Sequence, residues 1–324
     1  MLLGLIAPLA QAGATFAQSA ATSAQGYPNR PVRVIVPFAT GGPDTLARLI
    51  GTQLAVQMGQ PFVIENRPAA NGIVGTEAVA RAAPDGYTLL ITSSGFVGAP
   101  SLHKKLPYDT ERDFVPVTDV AANLGTLLIV HPSVPANTLQ EFIALAKKPD
   151  SKIAFSSPGI GNTLHLIGEL FNARAGTKML HVPYKGGAPA AAAVVSGEVQ
   201  AMMSPPQLAL PHVKSGKVRA LAYTMPARAA FLPDVPTTAE AGLPSLVADG
   251  GWFGMFLPAN TSSEIVHRLH GEVRKALAEP TIRERLTALV FGIGGMPPDQ
   301  FKRFVSDEIR KYAEMAKLAG IDPE

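Results

Sequence analysis

The 324-residue sequence contains no cysteine, which excludes disulfides, thiolate catalysis and cysteine-ligated zinc. Nor does it gather charge of one sign. Its 28 Lys and Arg are interleaved with 25 Asp and Glu for a formal net charge of +3, and a nucleic-acid partner would need basic residues collected on one face. Catalytic signatures are missing too: there is no G-x-S-x-G, no H-E-x-x-H and no P-loop. "GIGNTL" has the first two glycines of a dinucleotide fingerprint but Leu164 where the third belongs, and no acidic residue ends the following strand. His267 and His270 stand three apart on a helix without a carboxylate constellation, which is weak support for a metal and fits a surface role. Neither cofactor nor metal is expected. What the chain does have is 47% hydrophobic residues, enough to fill two cores without staples.

The first residues, "MLLGLIAPLAQAGATFAQSAATSAQG", carry no charge. An apolar stretch gives way to small residues, with an A-x-A at Ala10 to Ala12. Residues 1–25 thus resemble a secretory signal peptide and are too short for a membrane span. The basic n-region is missing, in keeping with a natural start further upstream. Export is the expectation, and no other segment is apolar enough to cross a bilayer.

After Gly26, short β-branched runs alternate with helical patterns, the signature of βαβ units and parallel sheets. "RVIVPFA" reads as a strand running to Phe38 and "PDTLARLIGTQLAVQMG" as its helix, with Leu46, Leu49, Ile50 and Leu54 as an apolar stripe. Pro43 suits the first helical turn. "PFVIENR", a helix around "GTEAVARAA" and the strand "YTLLITSS" complete one α/β half. From "FVPVTDVAANLGTLLIVHPS" the pattern restarts: "TLQEFIALAKK", "KIAFSS", the turn "PGIG", "NTLHLIGELFNARAG", "MLHVPY", an Ala-rich helix, "VQAMMS" and "VRALAYT". "GGWFGMFLP" reads as a strand returning to the first half. Two helices follow; the terminal one buries Phe301, Phe304, Val305, Tyr312 and Met315, with Asp299 as its cap and Gly320 as its end.

Each half offers a strand, a glycine-rich turn and a helix N-terminus: "PFATGGPDTLAR" and "FSSPGIGNTLHL". The unpaired N–H groups of a first helical turn, together with the helix dipole, favour a bound anion. If the halves face each other, a carboxylate receives donors from both loops, with hydroxyls from Thr40, Ser156, Ser157 and Thr163 and the amide of Asn162. No arginine clamp is required. A hydrogen bond to a charged group contributes roughly 1.5–3 kcal/mol, and micromolar affinity needs about 8 kcal/mol net. Duller roles stand beside these: Asp44 complements a helix dipole, Ser157 and Thr163 satisfy local backbone groups, and His165 packs.

The segments "RPVRVIVPFATGG", "ENRPAANGIVGTEAVARAAPDGYTLL", "LPYDTERDFVPVT", "HVPYKGGAPA", "GKVRALAYT", "LPDVPTTAEAGLP" and "WFGMFLPANTSSEIV" together resemble the Bug family, the extracytoplasmic solute receptors of tripartite tricarboxylate transporters. The resemblance runs from about Tyr27 to the C-terminal helix. It implies an α/β type II periplasmic binding protein fold, with two doubly wound domains joined by two crossover segments and a ligand cleft between them. The expected division is 26–122 with 249–324 against 123–248. By match of motif, Phe38, Thr40, Gly41 and Gly42 would line one side. Ser156, Ser157, Gly159, Gly161, Asn162, Thr163 and His165 would line the other, with Ser93, Ser94 and Ser204 as further contacts. Two departures stand out. Gly41, Gly42, Pro43 and Asp44 form a loop one residue shorter than the family's G-G-x-T-D. Ser204, Pro205 and Pro206 replace Phe-Asp-Asn, which favours a ligand without a cationic group.

The resulting expectation is a periplasmic, monomeric, non-catalytic receptor that binds a small organic carboxylate and delivers it to a membrane permease. A ligand sensor for a periplasmic signalling partner, or a cleft enzyme acting on a carboxylate, are the alternatives.

Overall fold

Strands form here where β-branched runs can be covered on both faces, as parallel sheets flanked by helices require. The computed structural model describes residues 26–323; the signal-peptide-like segment lies outside the described residues. β1 (Val32–Val36), β2 (Phe62–Asn66) and β3 (Thr88–Ser93) are parallel neighbours, accompanied by α1 (Gly42–Met58), α2 (Ile73–Ala80) and the single turn α3 (Gly95–Gly98). β4 (Phe114–Asn123) leads out of this region.

A second series follows: β5 (Leu127–Val130), α4 (Leu139–Ala146), β6 (Ala154–Ser157), α5 (Thr163–Ala175), β7 (Leu180–Pro183), α6 (Gly187–Ser196), β8 (Ala201–Ser204), α7 (Pro206–Lys214) and β9 (Arg219–Tyr223). The chain returns through β10 (Trp252–Pro258), α8 (Ser263–Ala278), α9 (Pro280–Ala288), β11 (Phe291–Ile293) and α10 (Pro298–Leu318). Two sheets result, ordered β11-β4-β10-β3-β1-β2 and β7-β6-β8-β5-β9. Both are mixed rather than wholly parallel. β10 arrives from the other half and runs antiparallel to β3 and β4, and β5 runs antiparallel to β8 and β9.

One core lies where α1 and α8 cover the first sheet, with Leu46, Ile50, Leu54, Leu269 and Val273 buried against Val34 and Met255. A second surrounds β5, β6 and β8 and includes Phe142, Phe155 and Phe171. A third joins the two halves: α10 lays Phe301, Val305 and Tyr312 over the opposite face of the first sheet, together with Leu166 of α5. Asn123 to Thr126 and Ala248 to Gly251 are the two crossings between the sheets, and they are stitched side by side. Asn123 N–H donates to the Gly251 carbonyl and Gly125 N–H to that of Asp249, each at 2.9 Å. Gly250 takes φ +83°, and a Cβ there would lie 2.7 Å from the Gly125 carbonyl oxygen, so glycine is the residue that lets the two strands of chain touch.

Several boundaries differ from the sequence expectation, mostly at proline. β1 stops at Val36 because Pro37 has no N–H to continue the ladder. α9 is a separate helix absent from the sequence reading: Glu279, extended at φ −61° and ψ 129°, ends α8 and precedes Pro280. α10 is capped by Pro297, so Asp299 lies in the first turn and complements the dipole instead of capping; Gly320, at φ +66° just past the C-cap Ala319, ends the helix as the sequence predicts. His270 is buried with Nε2 3.4 Å from the Gly295 carbonyl, whereas His267 stays at the surface and meets the Ser263 carbonyl at 2.6 Å. Among the described residues, no helix is long and apolar enough to cross a membrane.

Candidate ligand cleft

The loop after β1 is braced from behind. Asn66, at the end of β2, donates through Nδ2 to the Phe38 carbonyl at 3.0 Å and to Asp44 Oδ1 at 2.9 Å, and Arg48 Nε reaches the same carboxylate oxygen at 3.0 Å. Asp44 is 7% exposed and fully engaged in this bracing. At Gly42 a Cβ would meet the Phe253 ring at 2.7 Å, so the start of α1 can rest on that ring only as glycine.

Across from it, β6 ends at Ser157, the chain turns through Pro158 to Gly161, and Asn162 caps α5 by accepting the Leu164 N–H at 3.0 Å. Ser94 and Thr163 bring the two sides together: their hydroxyls are 2.7 Å apart, and Thr163 Oγ1 is also 2.9 Å from Tyr312 Oη on α10. All three side chains are buried.

Between these loops lies a cavity of about 60 Å³. Phe38, Thr40, Gly41, Gly42, Ser93, Ser94, Asn162 and Thr163, all predicted from sequence, line it. It also has walls that the sequence did not single out: Asn123, Gly186, Gly187, Gln207, Trp252 and Phe253. Gly186-Gly187 repeats the Gly41-Gly42 pattern of paired glycines before a helix, a signal available in the sequence. Gln207, behind two prolines, offered none. Four helices begin on this cavity, namely α1, α5, α6 and α7. No lining residue carries a charge. Pro43, Pro189 and Pro206 remove one amide each from the first turns of α1, α6 and α7, and the Leu164 amide of α5 is taken by Asn162; the other first-turn amides have no acceptor within their own helices. Such a wall suits an anion by dipoles alone.

Other predicted residues lie elsewhere. Gly159 borders a neighbouring chamber of about 570 Å³ that meets the first at Phe38 and Pro158 and is lined by Pro68, Ile73, Ile160 and Tyr184, with His103 and Lys185 beside them. Ser156, Ser157, Gly161, His165 and Ser204 stand behind the wall. Ser156 Oγ donates to the Ala190 carbonyl at 2.9 Å, and Ser204 Oγ to that of Pro205 at 3.3 Å. Ser157 Oγ accepts the Gly159 N–H at 3.1 Å and lies 2.6 Å from His181 Nε2.

His165 packs against His181, ring centroids 3.9 Å apart, and its Nδ1 accepts the Gly161 N–H at 3.1 Å. A protonated Nδ1 could not accept that bond, so the turn requires a neutral imidazole. Burial pushes the His165 pKa down to about 4. Burial and then the neighbouring His165 push that of His181 down to about 3. Among the described residues, no three His, Asp or Glu side chains gather as a metal-binding group.

Residues 46–321 match the family described as tripartite tricarboxylate transporter family receptor. The chain is 37% identical to protein BugT of Bordetella pertussis over 315 residues, covering 95% of this chain and 94% of that protein. Among solved structures it is similar to the R. palustris protein Rpa4515 with adipate, at 34% identity and a TM-score of 0.86 over 92% of this chain and 100% of that one. It is likewise similar to MatC from Rhodopseudomonas palustris with bound malate, at 35% identity and a TM-score of 0.83 over 89% and 99% of the two chains.

Proposed function

The chain belongs to the tripartite tricarboxylate transporter receptor family, and from that premise we propose that its cleft captures a small organic carboxylate in the periplasm and hands it to a membrane permease. The family is one of receptors, and the chain is accordingly a binding protein and not an enzyme. The observation that carries the ligand class is the convergence of four helix N-termini on an uncharged cavity, where a carboxylate gains donors and dipoles from both halves and no side-chain cation competes. The relatives solved with adipate and malate support the same class.

In this reading residues 26–122 and 249–324 form one lobe and 123–248 the other, hinged at the stitched crossings. Phe38, Thr40, Gly41, Gly42, Ser93 and Ser94 contact the ligand from the first lobe. Asn162 and Thr163 do so from the second, with Ser156, Ser157, Gly159, Gly161, His165 and Ser204 shaping the turns around them. In this reading the ligand enters by hinge opening and its bound form completes closure. The receptor acts as a monomer, without a nucleic-acid partner.

A thermal-shift screen of the purified protein against mono- and dicarboxylates tests this. A ligand at a hundred times its Kd stabilises by about 2.7 kcal/mol, so at least one acid raises the unfolding midpoint by several degrees. A panel in which no acid shifts the midpoint refutes it.

A further inference from the structure

Two polar atoms on the cleft wall are buried without a hydrogen-bond partner among the described residues: Ser93 Oγ and Gln207 Oε1. They differ in what they can accept. A hydroxyl donates as readily as it accepts and so suits a carboxylate oxygen, whereas an amide oxygen only accepts.

Which end of the Gln207 amide is left over is fixed by a chain of bonds that starts at the backbone. The Gly250 carbonyl can only accept, so Asn123 must turn Nδ2 towards it, at 2.6 Å. That leaves Asn123 Oδ1 as the acceptor for Gln207 Nε2, at 2.8 Å. Reversing either amide would set two acceptors or two donors face to face. Oε1 is therefore the group that remains, and its anchor is the crossing between the sheets.

We propose that Gln207 is the specificity-determining residue of the cleft, and that it selects carboxylates whose body carries a hydrogen-bond donor, a hydroxyl or a primary amide. This rests on the carboxylate reading of the cleft and narrows it. A ligand with a methylene at that place leaves Oε1 desolvated and unpaired, and a second carboxylate there sets acceptor against acceptor. Both outcomes cost affinity that a donor recovers.

Calorimetric titration of the purified protein with matched pairs reads this directly: lactate against propionate, malate against succinate, and succinamate against levulinate. In each pair only the first member offers the extra donor. Among the pairs that bind, the donor-bearing member binds roughly tenfold more tightly. Gln207→Met reduces that ratio to within about twofold, weakening the donor-bearing member and sparing the donor-free one the unpaired amide oxygen. Equal or tighter binding of the donor-free members to the unaltered protein overturns the assignment, a result that needs no variant to fold. A preference that survives Gln207→Met overturns it as well. If no member of any pair binds, the carboxylate reading itself fails and the assignment falls with it; carboxylates that bind without regard to the donor leave that reading standing and remove only Gln207.

Discussion

Asp44 stands in the first turn of α1, where a carboxylate complements the helix dipole, and the sequence conveys that much. Its other task lies outside any local pattern. It holds Asn66 and Arg48, and Asn66 holds the Phe38 carbonyl, so a residue on the next strand sets the shape of the binding loop. Glycine-rich turns and helix starts are local and could be read. The partners that brace them come from distant segments and could not. Ser157 and His165 show the same limit: both belong to the turn predicted to touch the ligand, yet both face inward to support it. Ser93 is the converse case, a wall residue whose hydroxyl has no protein partner among the described residues. Ser93→Ala is expected to weaken carboxylate binding about 10- to 150-fold, as loss of one hydrogen bond to a charged group implies. The unfolding midpoint of the ligand-free protein should hardly move. Calorimetry and thermal unfolding, run together, separate this from a stability effect.

At the level of elements, α5 and the turn before it are held by the stacked pair His165 and His181. Both folded-state pKa values lie below the ordinary 6.5, at about 4 and about 3. The unfolded chain therefore takes up protons that the folded chain refuses as pH falls from about 6.5 towards 4, and stability drops through that window. Above it, the pair's contribution is fully present. His181→Gln keeps a hydrogen-bonding group for Ser157 without the titration, so the decline of its unfolding midpoint between pH 6.5 and 4 should be shallower than that of the parent protein. Identical pH profiles would show that the pair does not titrate on unfolding. Most strands and helices were legible from periodicity and β-branched runs. α9, the end of β1 and the start of α10 were not, because each turns on a proline whose consequence depends on the residues before it.

For the whole molecule, alternation of strands and helices conveyed two α/β halves, and the return of β10 was visible as an apolar run after a proline-rich connection. The sandwiching of β10 between β3 and β4, and with it the mixed character of the first sheet, was not visible, because strand order is set by packing far along the chain. The two halves are joined by the shared core under α10 and by a buried hydroxyl cluster. Tyr312 Oη, on α10 of the first half, meets Thr163 of the second at 2.9 Å in a fully buried setting. Tyr312→Phe removes that tie and should shift the population towards the open form. A loss of about 1 kcal/mol in closure lowers ligand affinity about fivefold, and small-angle scattering of the ligand-free variant should give a larger radius of gyration. An unchanged radius and affinity would place the closing free energy elsewhere.

The uncharged wall has a further consequence for inheritance. Peptide amides belong to every residue but proline, so most codon changes around the cleft leave the main-chain anchor standing. Copies of such a gene can drift in which metabolite they prefer, through positions such as Gln207, while keeping the grip on the acidic end that makes them useful at all.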